Sequence, residues 1–191
     1  MPIAALYDIH GNLAALEAVL AEVPDDATIL VGGDVVAGGD QPSETLARLR
    51  ALGDRVRWVR GNADRELFPG EGGLVPEPLV EETRARLSED EIQYLHELPP
   101  TQRIGDVLYC HASPRNDVDI FTERTPEERI ASLFDGLGVP TVVCGHTHTQ
   151  YERTVAGVRV VNAGSVGMPY EGAELKATRE EAVSEFTERG L

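Results

Sequence analysis

What this chain is short of narrows its function before any motif is read. No stretch approaches the roughly 20 consecutive apolar residues that a membrane-spanning helix needs, which excludes a helical membrane protein. The first seven residues hold no basic segment and run straight into a strand pattern, so a secretory leader is not expected. Cysteine is scarce. Cys110 and Cys144 form no CxxC pair and read as small, buried, reduced thiols of a cytoplasmic protein. Basic residues are also in short supply, 17 Lys and Arg against 33 Asp and Glu. The resulting formal charge of -16 argues against nucleic acid as a general partner, because a phosphate backbone requires a Lys/Arg surface. Solvated surface accounts for part of the acidic excess, and metal-binding carboxylate for another part.

What is present reads as alternating strands and helices. The 191 residues suffice for one sizeable core, and no linker or fixed-period repeat divides them, so a single domain over 1–191 is expected. Residues 3–7 form a short apolar strand, and Leu13, Leu16, Val19, Leu20 and Val23 then recur at helical spacing until Pro24. Residues 28–31 are continuously apolar, as in a strand covered on both faces. A helix is expected near 43–52 and a strand at 56–59, followed by a polar loop at 60–64. The middle holds a glycine-rich loop and helices near 79–87 and 89–98, the second opened by a capping box of Ser88 and Glu91. His96, in that helix, has no ligand-like neighbour and reads as a packing residue. Hairpins are expected at 102–110 and 150–161, a helix near 126–134, a buried strand at 139–144 and a last helix over roughly 179–189.

The polar residues gather where the strands end. Asp8 and His10 follow the first strand, Asp34 follows the second after Gly32 and Gly33, and Asn62 follows the third. His111 follows a fourth, and His146 and His148 follow the strand ending at Cys144. The spacing i, i+2 sends two side chains to one side of an extended chain, so Asp8 with His10, and His146 with His148, each point at one site. Strand ends of α/β proteins are where ligands bind. Carboxylate, amide oxygen and imidazole together suit Mn, Fe, Ni, Co or Zn rather than a thiolate site. Two ions need a bridging ligand, and Asp34 is the carboxylate available for it.

The order Asp-x-His, Gly-Asp, Gly-Asn-x-Asp, His, Gly-His-Thr-His resembles the calcineurin-like metallophosphoesterase superfamily, especially its small bacterial and archaeal phosphodiesterases. The resemblance covers residues 3–169. It implies an α/β fold in which two sheets form a sandwich flanked by helices, four layers in all. It also implies a binuclear centre: Asp8, His10, Asp34 and His148 for one ion, and Asp34, Asn62, His111 and His146 for the other. The cofactors implied are two divalent transition ions, manganese first. Asp34, Asn62 and His111 are then the residues closest to catalysis, with a metal-bridging hydroxide attacking phosphorus. Asn12 and Arg115 are candidate substrate contacts, Arg115 through a His-x-Ser-Pro-Arg pattern.

Two departures from the family bear on function. Its protein phosphatases continue the second motif to an Asp and follow Gly-Asn with a His that protonates the leaving group. Here the corresponding residues are Ala37, Gly38 and Ala63, and alanine donates no proton. Asp64 reads as a loop hydrogen bond and Arg65 as an exposed charge. After residue 167 the chain passes quickly to a charged tail, and one strand usual in the family is missing, leaving an edge that a second copy of the chain could cover. Three functions follow: a phosphodiesterase, favoured here; a phosphatase or pyrophosphohydrolase of small nucleotides such as dinucleoside polyphosphates; and a non-catalytic metal-binding scaffold. In the first two the partner is a small phosphate ester.

Overall fold

Short apolar strands separated by helices build the first sheet. In the computed structural model, which describes residues 2–170, β1 (Ile3–Leu6), β2 (Thr28–Val31) and β3 (Val56–Trp58) run parallel in that order. Between them lie α1 (Leu13–Leu20) and α2 (Pro42–Arg50). Asn12 caps α1, its side chain accepting from Ala15 N at 3.1 Å. The peptide after β3 departs from the expected loop: α3 (Asn62–Glu66) begins at Asn62 itself. Then come α4 (Glu77–Arg84) and α5 (Glu89–His96), the latter opened by the reciprocal Ser88–Glu91 capping box. His96 stacks on Phe68 with ring centroids 4.0 Å apart, a packing role as expected.

The second sheet is mixed and five-stranded. β4 (Thr101–Ile104) and β5 (Val107–Cys110) form a hairpin, and β5 lies parallel to β6 (Thr141–Cys144). β6 lies parallel to β8 (Val158–Ala163), which pairs antiparallel with β7 (Gln150–Val155). α6 (Glu127–Phe134) crosses between β5 and β6.

Alternation along the strands separates the layers. Ile29 and Val31 pack with Leu16, Leu46 and Leu49 on the helix side of the first sheet. Leu30, between them in sequence, packs instead with Tyr7, Val59 and Tyr109, and Val143 adjoins this middle layer. Val142 and Cys144 face Phe121, Ile130 and Phe134 beyond the second sheet. The result is the expected sandwich of two sheets with helices outside. Tyr7 ties the sheets across the middle, its hydroxyl donating to Val143 O at 3.0 Å. Cys110 and Cys144 are buried free thiols, and burial and Asp8 push Cys144 up to about 12, which keeps it unreactive. The expected last helix and the tail beyond residue 170 lie outside the described residues.

The middle layer offers a direct check. Leu30 is wholly buried, so Leu30→Ala is expected to lower unfolding free energy by roughly 2–5 kcal/mol in urea denaturation of the metal-free protein. A loss below about 1 kcal/mol, typical of a surface change, would contradict this packing.

Candidate metal centre

The strand ends converge at one edge of the sandwich. Two groups of side chains form there, Asp8 with His10 and His148, and Asp34 with His111 and His146. Within each group the ligand atoms lie within 4.8 Å of one another. The groups adjoin: His111 Nε2 is 3.3 Å from Asp34 Oδ2 and 3.9 Å from Asp8 Oδ1. Asn62 opens α3 beside the second group, where the next amide, Ala63 N, donates to Asp34 Oδ1 at 2.8 Å.

The spacing argument reaches these clusters by a different route from the one expected. His146 and His148 lie beyond the end of β6, and they divide between the two groups, His148 with Asp8 and His10 and His146 with Asp34 and His111. Asp8, His10, Asp34, His146 and His148 all have left-handed backbones, with φ of 53°, 51°, 53°, 68° and 57°. Only one other described non-glycine residue, Ala156 in the β7–β8 turn, does so. Each such residue costs roughly 1–2 kcal/mol, and Asp and His tolerate it better than most. Cross-loop hydrogen bonds hold the conformation: His10 N to Asp34 O at 2.9 Å, and His146 N to Asp8 Oδ2 at 2.8 Å. Gly145 permits the second approach, since a Cβ there would collide with Asp8 Oδ2. Asp64 closes the Asp34 turn. Its buried carboxylate accepts from Asp34 N, Val35 N and Gly61 N at 2.8, 2.9 and 2.9 Å.

Backbone carbonyls set the histidine tautomers. His10 Nδ1 lies 2.6 Å from Ala37 O, His111 Nδ1 lies 2.9 Å from Gly32 O, and His148 Nδ1 lies 2.9 Å from Met168 O. A carbonyl only accepts, so each Nδ1 carries a hydrogen and each Nε2 is the nitrogen turned to the cluster. His10 Nε2 and His148 Nε2 then face each other at 3.0 Å, and His111 Nε2 faces His146 Nδ1 at 3.2 Å. Facing ring nitrogens at these separations share either a proton or a metal ion. Four described buried side-chain polar atoms have no hydrogen-bond partner, and two of them, Asp8 Oδ1 and Asn62 Oδ1, belong to these residues. The donor set therefore fits divalent ions.

The carboxylates and imidazoles shift one another's titration in opposite directions. Burial would raise Asp8 and Asp34, but the imidazoles around them, His148 for Asp8 and His111 for Asp34, hold both below the ordinary carboxylate value. Burial opposes charge on His111 too, yet Asp34 and Asp8 raise it to about 10. Its partner His146 is lowered to about 4 by burial and by His111. The other pair divides the same way, His148 raised against its burial by Asp8, and His10 lowered by burial and His148. Burial and the Asp34 charge push Asp64 up to about 7, against the pull of its backbone donors.

The candidate substrate contacts are otherwise engaged. Asn12 is the α1 cap, and its Nδ2 donates to Gly167 O at 3.1 Å. Arg115 is exposed and donates to Ser132 O in α6. Arg65 corrects the expectation of an exposed charge: its side chain is 17% exposed, because it pairs with Asp117 at 2.8 Å and with Glu71 at 3.2 Å. Sequence reading passed over Glu66, buried behind Asn62, and the three carbonyls that orient the imidazoles. A Glu one helical turn after Asn62 was the available signal for the first; a carbonyl has no sequence signature.

Comparison with known proteins adds a family to this geometry. The profile of the calcineurin-like phosphoesterase superfamily domain matches residues 1–182. A symmetrical bis(5'-nucleosyl)-tetraphosphatase from Pectobacterium carotovorum subsp. carotovorum is 29% identical over 142 residues, 70% of this chain and 50% of that protein. One from Vibrio vulnificus is 32% identical over 133 residues, 66% of this chain and 49% of that protein. The chain thus spans about half the length of these curated relatives. A metallophosphoesterase crystal structure from Sphaerobacter thermophilus is 26% identical with a TM-score of 0.72, covering 100% of this chain and 95% of that one.

Proton release on metal loading tests this centre. His111, raised to about 10, holds a proton near neutral pH in the metal-free centre, and Asp8 shifts His148 in the same direction, so loading divalent ions is expected to release at least one proton per chain. Metal affinity should weaken as pH falls and keep rising toward pH 10, the value of His111. Calorimetric titration in buffers of different ionisation enthalpy reads the proton count, and a count of zero would contradict the assignment.

Proposed function

The chain belongs to the calcineurin-like phosphoesterase superfamily, and on that premise we propose that it is a metal-dependent phosphodiesterase using two divalent transition ions. Asp8, His10 and His148 would hold one ion, and Asn62, His111 and His146 the other, with Asp34 shared. The observation that carries this reading is the facing of imidazole nitrogens across 3.0 and 3.2 Å, beside orphaned oxygens of Asp8 and Asn62. Manganese comes first among the ions, with Fe, Ni, Co and Zn as the other members of the class that such oxygen and nitrogen donors suit. When bound, two such ions would lower the pKa of a water toward neutrality and offset charge on the phosphoryl oxygens.

The chain's own residues bear on the leaving group. Ala63 stands at the start of α3 beside Asp34, and a methyl group supplies no proton. A positioned general acid is worth roughly 10²–10⁴ in rate, so esters with poor leaving groups should suffer most. Arg65 and Arg115, engaged with Asp117 and Ser132, offer little to offset a highly charged polyphosphate. That favours the singly charged diester. A second reading, hydrolysis of dinucleoside polyphosphates, is favoured by the names of the relatives and shares the good leaving group. The complete ligand set supports an enzyme over a scaffold. Among the described residues no helix is long and apolar enough to cross a membrane, and the free thiols support the reducing cytoplasm as its compartment.

Elemental analysis after reconstitution should give about two ions per chain, and Asp34→Ala should lower occupancy of both sites. A variant that keeps full metal content would rule out the shared carboxylate. A panel of aryl phosphodiesters, a dinucleoside tetraphosphate and alkyl phosphate monoesters, run with the same metal, separates the readings. The expected order is aryl diester first and alkyl monoester last, with Ala63→His raising monoester turnover at least about tenfold. A tetraphosphate preferred over every diester would establish the second reading instead.

A further inference from the structure

Behind Asn62 lies a carboxylate that the chemistry above does not use. Glu66 is 1% exposed and sits one turn further along α3. Asn62 Nδ2 donates to Glu66 Oε1 at 3.1 Å. Leu74 N donates to the same oxygen at 3.1 Å, and Val75 N to Oε2 at 2.8 Å. Arg65 lies 3.5 Å from Oε1 and is itself paired with Asp117, in the loop that follows His111. Gly73 leaves room for the carboxylate, since a Cβ there would collide with Oε1. A buried carboxylate with three hydrogen-bond donors and a cation beside it is a constructed arrangement, not a solvated surface charge.

We propose that Glu66 is a positioning residue, which turns the Asn62 amide so that its oxygen, not its nitrogen, is the end presented to the second ion. The inference rests on the two-ion reading of this site. The two ends of a side-chain amide are nearly equal in size, and either can be turned toward a neighbour. An NH2 group cannot ligate a cation and is repelled by one. A carboxylate can only accept, so Glu66 binds the NH2 end and excludes the flipped amide. Asn62 Oδ1 is left buried without a hydrogen-bond partner, as a ligand end would be. The same carboxylate anchors the peptide at Leu74 and Val75, and the Arg65–Asp117 pair joins it to the loop of His111. One buried network thus orients one ligand of the second ion and braces the loop of another.

Titration of metal-free protein with Mn²⁺, following free Mn²⁺ by electron paramagnetic resonance, reads the two affinities without any assay of activity. E66Q keeps the side chain's shape and gives up the acceptor-only character. It is expected to weaken one of the two sites roughly 10–100-fold and to leave the other within about threefold. N62D/E66Q should recover that site to within about tenfold of wild type, because a carboxylate at position 62 presents oxygen whichever way it turns. If E66Q alone does not fold, the double variant retains a buried hydrogen bond there, and its affinity, near wild type or far below it, decides. Two sites unchanged in E66Q, two sites weakened alike, or no recovery in N62D/E66Q would each overturn the positioning role while leaving the two-ion reading intact. A wild type that takes up fewer than two ions would overturn that reading, and the inference with it.

Discussion

Negative charge held away from water is the constraint that organises this molecule. Asp8 and Asp34 are 0% and 4% exposed, and no Lys or Arg is paired with either carboxylate among the described residues. An unpaired buried carboxylate costs several kcal/mol, so the chain must supply positive charge in another form. It does so with imidazoles, the side chains best suited to hold a proton in one state and a metal ion in another. The carbonyls of Gly32, Ala37 and Met168 decide which ring nitrogen faces inward. The sandwich brings loops from both sheets to the same edge, with Tyr7 bonded across to Val143 just before Asp8 begins.

Concentrating like groups also demands an unusual backbone. Five of the seven proposed ligands adopt left-handed conformations, and what makes this affordable is that each loop is hydrogen-bonded to the next. The ladder between β1 and β2 continues past the strands through Asp8 N to Gly33 O and His10 N to Asp34 O. Asp64 secures the Asp34 turn from the other side with three amides. Strain is thus stored at the functional edge and carried by the surrounding framework.

Much of this was legible from residue order. Continuous apolar runs such as residues 28–31 mark covered strands, and the polar residues after them mark the edge where a site forms. The Ser88–Glu91 capping box has a local signature and appears as expected. What sequence reading missed is non-local or conformational. The left-handed turns at His146 and His148 lie outside the reach of the strand-based argument, because alternation applies only to extended chain. Asn62 belongs to a five-residue helix too short to show a period. Arg65 looks like any surface arginine until Asp117, 52 residues away, is brought beside it. Asn12 and Arg115 show the reverse case: a polar residue near a motif is also taken up by a helix cap or a neighbouring carbonyl.

The link from His148 to the far end of the described chain orders events during synthesis. Its Nδ1 is fixed by Met168 O, its ring stacks on Tyr170 at 5.2 Å, and Val166 N and Gly167 N bond the carbonyls of Tyr7 and Asp8. A nascent chain that has left the ribosome only as far as residue 148 carries every proposed ligand but lacks these braces. Neither half of the centre is braced at that point: His148 waits for Met168, and the His146 turn waits for Asn162, whose Nδ2 donates to Gly145 O at 2.7 Å and to Thr147 Oγ1 at 3.0 Å. Translation therefore places the proposed ligands outside the ribosome before the residues that orient them, and the centre is completed by the last part of the described chain.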